Sequence, residues 1–214
     1  MYKRQLVTLV HPSKIVCVGR NYPAHAAELG NEVPERPLLF LKPPSALVGN
    51  GEPIVIPSQS ARVDHEAEIG VIIERRVRRA TPDEAAAAIG LYVCLNDVTA
   101  RDLQRPDGQW TRAKGFDTFC PVSDPVRPET DWQELEVVCR VNGQERQRGR
   151  AADMHFAIPE LIAYISGIMT LEPGDLVATG TPAGVGPLVA GDVVEVEIPG
   201  VGLLTNPVEA EAIA

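Results

Sequence analysis

The sequence predicts an α+β protein, richer in strand than in helix and folded as one domain over residues 1–214. Three observations carry this. The 18 glycines and 19 prolines are spread along the chain, which calls for many short elements joined by tight turns. Most apolar runs are strand-length and end at glycine, proline or an Asn-Asp pair. No internal repeat, low-complexity tract or linker interrupts them. A chain of 214 residues can bury roughly 70% of its unfolded surface, enough for a substantial core.

Taken in order, Ile15 to Val18 reads as a buried strand ending at Gly19. Pro23 to Leu29 reads as a short helix, with proline in its first turn and Gly30 just past its end. Leu38 to Leu41 is a strand closed by Lys42-Pro43-Pro44, and Pro53 to Pro57 frames an edge-like strand. Ile69 to Ile73 is an apolar strand preceded by the acidic stretch Asp64-His65-Glu66-Ala67-Glu68. Thr81-Pro82-Asp83-Glu84 opens a helix that runs through Ala85 to Ile89: a cap residue, a proline and acids in the first turn. Leu91 to Leu95 is a buried strand leading to Asn96-Asp97, and Thr99 to Arg105 a helical turn. Pro106-Asp107-Gly108 reads as a loop. Leu135 to Val141 alternates and meets Asn142-Gly143, a type I′ hairpin signal. Asp153 to Met169 is the longest predicted helix, with Pro159 starting its main body. Leu176 to Ala178, Val193 to Ile198 and Gly200 to Val208 are the last strands, the final two paired.

Composition narrows the function. The balance of 20 basic against 29 acidic residues gives a net charge of −9. That argues against nucleic-acid or anionic-membrane binding, which needs the opposite sign. No apolar run approaches the roughly 20 residues that span a bilayer. Met1-Tyr2-Lys3-Arg4-Gln5 opens a poor signal peptide. The four cysteines lie far apart with no C-x-x-C pair. The expected location is therefore cytoplasmic, with the thiols reduced.

The chemistry-bearing residues are few. On a strand, Glu66 and Glu68 project to one face, their Cα atoms roughly 6.5–7 Å apart. Such a pair repels unless a cation sits between them or one carboxyl keeps its proton. Alone, Glu-x-Glu is more often a solvated edge strand. Asp97 ends a buried strand and either caps the next turn or reaches into a site. With Asp97, the pair would form an oxygen-only ligand set suited to Mg²⁺ or Mn²⁺ rather than zinc. His65 points to the opposite strand face from both glutamates. His25 and Glu28 are helix neighbours, either a surface pair or an imidazole oriented by a carboxylate as a general base. Lys114, before Gly115, is either a solvated charge or an anion contact. The glycine-rich run from Thr179 to Gly186, including Gly180 and Thr181, is either a plain turn or a set of N–H groups that cradles a carboxylate. It lacks the Gly-Lys-Ser/Thr ending of a P-loop.

Several stretches, in order along the chain, resemble the fumarylacetoacetate hydrolase family. The likeness is to its short single-domain branch of acylpyruvate hydrolases and oxaloacetate decarboxylases and tautomerases. They are Val16-Cys17-Val18-Gly19-Arg20-Asn21-Tyr22 with His25 and Glu28, Leu39-Phe40-Leu41-Lys42-Pro43, and His65-Glu66-Ala67-Glu68. Next come Asn96-Asp97-Val98-Thr99-Ala100-Arg101-Asp102, Trp110 with Ala113-Lys114, Cys120-Pro121-Val122-Ser123, and Thr179 to Pro187. The resemblance implies a mixed β-roll or β-sandwich with a few flanking helices, a homodimer, and Mg²⁺ or Mn²⁺ on Glu66, Glu68 and Asp97. It implies that His25 and Glu28 form a water-activating dyad on a lid helix. It also implies that Arg20, Arg101, Gln104, Lys114, Gly180 and Thr181 meet the substrate. The loop Arg105-Pro106-Asp107-Gly108-Gln109 is shorter than in many members of this branch, which bears on substrate size and on the role of Gln104.

The expected activity is metal-dependent cleavage of a carbon–carbon bond in an acylpyruvate, a 2,4-dioxo acid, to pyruvate and a carboxylic acid through a stabilised enolate. Oxaloacetate decarboxylation and keto–enol tautomerisation use the same enolate and are the alternatives. An isomerase or decarboxylase of 2-oxo diacids from aromatic breakdown is a further one. A non-catalytic metal- or ligand-binding protein is the rival from another class. The presence of His25, Glu28 and Lys114 beside three carboxylates argues against it.

Overall fold

The computed structural model describes residues 11–212, so the reading of Met1 to Gln5 lies outside the described residues. Unbroken apolar runs become strands covered on both faces, and alternating runs become strands covered on one. The first kind forms the middle of a five-stranded sheet whose order is Leu38–Lys42 (β2), Ile15–Gly19 (β1), Leu176–Ala178 (β12), Ala67–Ile73 (β6) and Ile89–Asn96 (β7); the edge strand β2 is only partly covered, with Leu41 exposed. Every residue of β6 and β12 is buried. The second kind builds another five-stranded sheet from Gln144–Arg150 (β11), Glu136–Val141 (β10), Val193–Ile198 (β14), Gly202–Ala210 (β15) and Ile54–Ile56 (β4). In β14, Val194, Val196 and Ile198 are buried while Val193 is exposed. Asn142 and Gly143 turn β10 into β11 with φ of 53° and 76°, both left-handed as a type I′ hairpin requires.

Smaller pieces join the two sheets. Gly186–Leu188 (β13), Val63–His65 (β5) and Thr99–Ala100 (β8) form a three-stranded sheet, and Leu47–Val48 (β3) pairs with Cys120–Pro121 (β9). The helices are Pro23–Glu28 (α1), Pro82–Ala86 (α2), Arg101–Asp107 (α3), Thr111–Lys114 (α4) and Ile158–Ile168 (α5). Thr81 caps α2 in a reciprocal capping box with Glu84. Helix α5 buries Ile158, Leu161, Ile162 and Ile165. Among the described residues no helix is long and apolar enough to cross a membrane.

Four expectations need correction. The acidic stretch is not part of one strand: β5 ends at His65 and β6 begins at Ala67, so Glu66 stands at the break where the chain passes from one sheet to the other. Its backbone bonds are supplied locally, with Glu66 N donating to Asn96 Oδ1 at 2.9 Å and Asp97 N donating to Glu66 O at 2.8 Å. Helix α2 ends at Ala86, and Ile89 already pairs in β7. The long helix starts at Ile158, after a separate 3₁₀ turn at Ala151–Asp153, because Pro159 fits only a first turn and disfavours helix before it. Pro106 lies inside α3, which Gly108 stops at φ 67°.

Asp175, at the entry to β12, ties the chain ahead of β1 to this sheet. Its carboxylate accepts from Ser13 N at 3.0 Å, Ser13 Oγ at 2.6 Å and Glu172 N at 2.8 Å, and pairs with Lys14. Burial alone would raise this carboxyl, but Lys14, Ser13 and the backbone donor hold it below its ordinary 3.8. Asp175→Asn is predicted to cost about 2 kcal/mol in urea unfolding at neutral pH. The bonded form is the charged one. The stabilisation is therefore complete above the unfolded carboxylate value, about 4, and is lost as pH falls through the lower folded value. The gap between wild type and variant should narrow in that acid window.

Candidate active site

The break at Glu66 and the register of β6 on β7 bring the acidic residues together. Ala67 pairs with Asn96, which sets Glu66 beside Asp97 across 31 positions of sequence. Glu66, Glu68 and Asp97 each offer a carboxylate oxygen, and the three oxygens lie within 4.8 Å of one another. All three residues are buried, at 5%, 2% and 1% exposure, so water cannot screen their repulsion.

Cations answer part of that charge. Lys114 Nζ bridges Glu66 Oε2 at 2.7 Å and Asp97 Oδ2 at 2.5 Å, and lies 5.0 Å from the Phe40 ring centroid. Lys42 Nζ donates to the other Asp97 oxygen at 2.6 Å and to Val98 O at 3.0 Å. Arg101 pairs with Glu66 and Asp64 and donates to Gln104 Oε1 at 2.7 Å. Burial would raise the Glu66 carboxyl, but Lys114 and Arg101 outweigh it and hold Glu66 well below the usual range. Glu68 goes the other way. Burial, then the charges of Asp97 and Glu66, push it well above the ordinary value. No cationic side chain pairs with Glu68 among the described residues; its bond comes from Gly180 N at 2.7 Å. Burial would lower the Lys114 ammonium, yet Asp97 and Glu66 raise it.

The glycine-rich run does cradle carboxylates, and they are the protein's own. Gly180 N holds Glu68, and Gly184 N donates to both oxygens of Glu28, at 3.0 and 3.1 Å. Gly180 has φ 106°, and an added Cβ there would lie 2.7 Å from Asn21 Cβ, so only glycine serves. The Thr181 hydroxyl gives its proton to Ala67 O at 2.9 Å. The N–H of Gly180 and the hydroxyl proton of Thr181, expected to meet a substrate, are thus committed to the frame.

His25, on α1, is 5% exposed and lines the same cavity. Its Nδ1 lies 3.5 Å from Glu28 Oε2, too long for a formed bond, and has no hydrogen-bond partner. The inner cavity holds about 50 Å³ and is lined by His25, the three carboxylates, Arg20, Arg101, Gln104, Lys114 and Thr181 among others. An outer chamber of about 430 Å³ shares Arg20, Leu29, Asn31, Arg101, Gln104 and Trp110 with it and adds Arg105 and Gly108. Arg20, at φ 58°, adopts a left-handed backbone that non-glycine residues seldom take. His65 stands apart: its Nδ1 meets Gln147 Oε1 at 2.8 Å, away from the carboxylates.

The donor set fits a hard divalent cation. It is anionic and oxygen-only, and two of its members already share one cation, the Lys114 ammonium. A comparison with protein families matches residues 14–209 to the family described as fumarylacetoacetate (FAA) hydrolase C-terminal. The chain belongs to the fumarylacetoacetate hydrolase family. A mitochondrial oxaloacetate decarboxylase of Dictyostelium discoideum is 46% identical over 195 residues, covering 87% of this chain and 89% of that protein. A mitochondrial oxaloacetate tautomerase of Arabidopsis thaliana is 45% identical over 203 residues, covering 92% and 91%. The crystal structure of a fumarylpyruvate hydrolase from Pseudomonas aeruginosa, in complex with Mn²⁺ and pyruvate, has a TM-score of 0.89 at 31% identity and covers 94% of this chain and 91% of that one. The strand-rich fold is therefore the family's fold, and the family is one of enzymes.

Sequence reasoning did not single out two residues of this frame. Lys42 ends an apolar strand, and a charge in that place is the signal it offered. Gln147 sits in the polar run Gln144–Arg150, where nothing distinguishes it from its exposed neighbours.

Proposed function

We propose that this protein is a divalent-metal-dependent hydrolase of acylpyruvates, cleaving a 2,4-dioxo acid to pyruvate and a carboxylic acid. The observation that carries the reading is one cavity holding three buried carboxylates, three cationic side chains (Arg20, Arg101 and Lys114) and an imidazole whose Nδ1 has no partner. Glu66, Glu68 and Asp97 would hold Mg²⁺ or Mn²⁺. When bound, the cation supplies Lewis-acid stabilisation of the charge that a 2-oxo acid develops.

The chain's own residues account for the rest. The His25 imidazole takes a proton from water, and Glu28, fixed by Gly184 N, steadies the imidazolium. The resulting hydroxide attacks the distal carbonyl carbon. The C3–C4 bond then breaks, its electron pair passes to the pyruvate enolate, and C3 collects a proton. Lys114 and Arg101 place fixed positive charge against the enolate oxygen in a site that excludes most water. Oxaloacetate would reach the same enolate by losing CO₂ without a water, and its tautomerisation needs only proton transfer at C3.

Two relatives named for oxaloacetate chemistry make these the leading alternatives. The deciding experiment presents a panel of acylpyruvates and oxaloacetate, with and without Mg²⁺ or Mn²⁺, and follows pyruvate and CO₂ separately. Pyruvate without CO₂ from acetylpyruvate at a higher kcat/KM than any oxaloacetate reaction supports the hydrolase. The reverse ranking replaces it with the decarboxylase or tautomerase.

The outer chamber favours one refinement. Arg20 and Arg105 line it without carboxylate partners among the described residues, so it suits a substrate with a second, distal carboxylate. Arg105→Ala is expected to raise KM for a diacid such as fumarylpyruvate about tenfold while leaving acetylpyruvate unchanged; an equal effect on both removes the refinement.

Four free, buried cysteines suit a reducing cytoplasm, and the family resemblance supports a homodimer, which light scattering would test.

A further inference from the structure

Gln147 lies on β11, in the sheet that carries none of the carboxylates, and its side chain is 1% exposed. All of its amide hydrogen bonds run into the frame of the site. Oε1 accepts from Ala67 N at 3.0 Å and meets His65 Nδ1 at 2.8 Å. Nε2 donates to Thr181 Oγ1 at 2.7 Å and to Pro182 O at 2.8 Å. Thr181 Oγ1 in turn donates to Ala67 O at 2.9 Å. Ala67, the residue between the two glutamates, is therefore held at its N–H by Gln147 and at its carbonyl by a hydroxyl that Gln147 also holds.

The loop gripped at Thr181 and Pro182 carries the N–H groups that fix Glu68 and Glu28. Its approach to β11 is close by construction. A Cβ on Gly184 would collide with the Arg146 carbonyl oxygen, and one on Gly149 would lie 2.5 Å from Pro182 Cβ. The chain leaves its ladder at Glu66, so regular sheet bonding alone does not set the spacing of Glu66 and Glu68.

We infer that Gln147 is a positioning residue: its one amide sets the spacing of the carboxylate triad and, through the 180–184 loop, the placement of the His25–Glu28 pair. The inference rests on the metal-dependent reading above. It assigns to a residue of the opposite sheet a role in metal affinity and turnover without contact to metal or substrate. Partners one step removed from a metal typically change its affinity 10–100-fold when replaced.

The test compares wild type, Gln147→Met and Gln147→Glu. Methionine keeps the shape and removes every polar partner. Glutamate keeps an acceptor for Ala67 N–H in either protonation state. Mn²⁺ alone is titrated into each metal-free protein by electron paramagnetic resonance, and kcat and KM for acetylpyruvate are measured at saturating Mn²⁺. Thermal melts establish that each variant is folded. Mn²⁺ affinity should fall at least tenfold in Gln147→Met and less in Gln147→Glu. For Gln147→Met, kcat should fall at saturating metal more than KM changes.

Three results would overturn it. A folded Gln147→Met with wild-type Mn²⁺ affinity and kcat removes the inference and leaves the metal reading intact. Loss of the fold in both variants assigns Gln147 a structural role only. Wild-type protein that binds no Mn²⁺ fails the metal reading itself, and the inference falls with it.

Discussion

EDTA-treated protein is expected to lose turnover of every 2-oxo acid by roughly 10²–10³-fold, and added Mn²⁺ or Mg²⁺ to restore it. The charge arrangement gives the reason. Lys114, Lys42 and Arg101 answer Glu66 and Asp97, but Glu68 meets only a backbone N–H. The third carboxylate is thus kept at a cost that a proton or a further cation removes, and the cation is the one that also serves turnover. Glu68→Gln separates this from a purely structural triad. It deletes one of three crowded negative charges, so metal-free variant should melt at the same temperature as metal-free wild type or higher. Metal affinity and turnover should collapse together. If Glu68→Gln instead destabilises the metal-free protein and spares turnover, the triad is a structural ion cluster. Full-rate pyruvate release from acetylpyruvate in EDTA would sink the metal mechanism directly.

Much of the frame was readable from residues because each apolar run carries its own burial pattern. β1, β12 and β14 fall where Ile15 to Val18, Leu176 to Ala178 and Val193 to Ile198 were expected. Asn142-Gly143 closed its hairpin as the two left-handed residues dictate. The break at Glu66 was not readable. A period-two pattern runs through Asp64 to Glu68 whether or not the ladder continues, and it is the side chains of Asn96, Gln147 and Thr181, with the backbone N–H of Asp97, that satisfy the chain at the break. The meeting of Glu66 with Asp97 depends on the register of β6 against β7, which no local signal encodes. The same holds for the cations: Lys42, Lys114 and Arg101 look like surface charges in sequence, and the burial of the two lysines and the half-burial of Arg101 follow from the acids they face. The glycine-rich run read from sequence as either a plain turn or an anion cradle. That its anions would be Glu28 and Glu68 required the fold.

His25→Ala decides which reaction the site is built for. Hydrolysis needs water deprotonated beside the distal carbonyl, and His25 is the only imidazole among the described residues that lines the cavity. Its loss should lower kcat for acetylpyruvate hydrolysis by about 10²–10⁴. Oxaloacetate decarboxylation asks for no water. It relies on the carboxylate triad, Lys114 and Arg101, which the substitution leaves in place, so its rate should stay within a few-fold of wild type. Tautomerisation is a sharper third arm, because an imidazole can also move the C3 proton. If His25 serves only water, tautomerisation survives with decarboxylation; if it is a general proton shuttle, tautomerisation falls with hydrolysis. Equal loss of hydrolysis and decarboxylation would refute the hydrolytic assignment and make His25 part of the binding frame. Glu28→Gln grades the same point. The amide can still accept from Gly184 N but no longer offsets the imidazolium charge, so hydrolysis should fall by less than in His25→Ala while decarboxylation does not move.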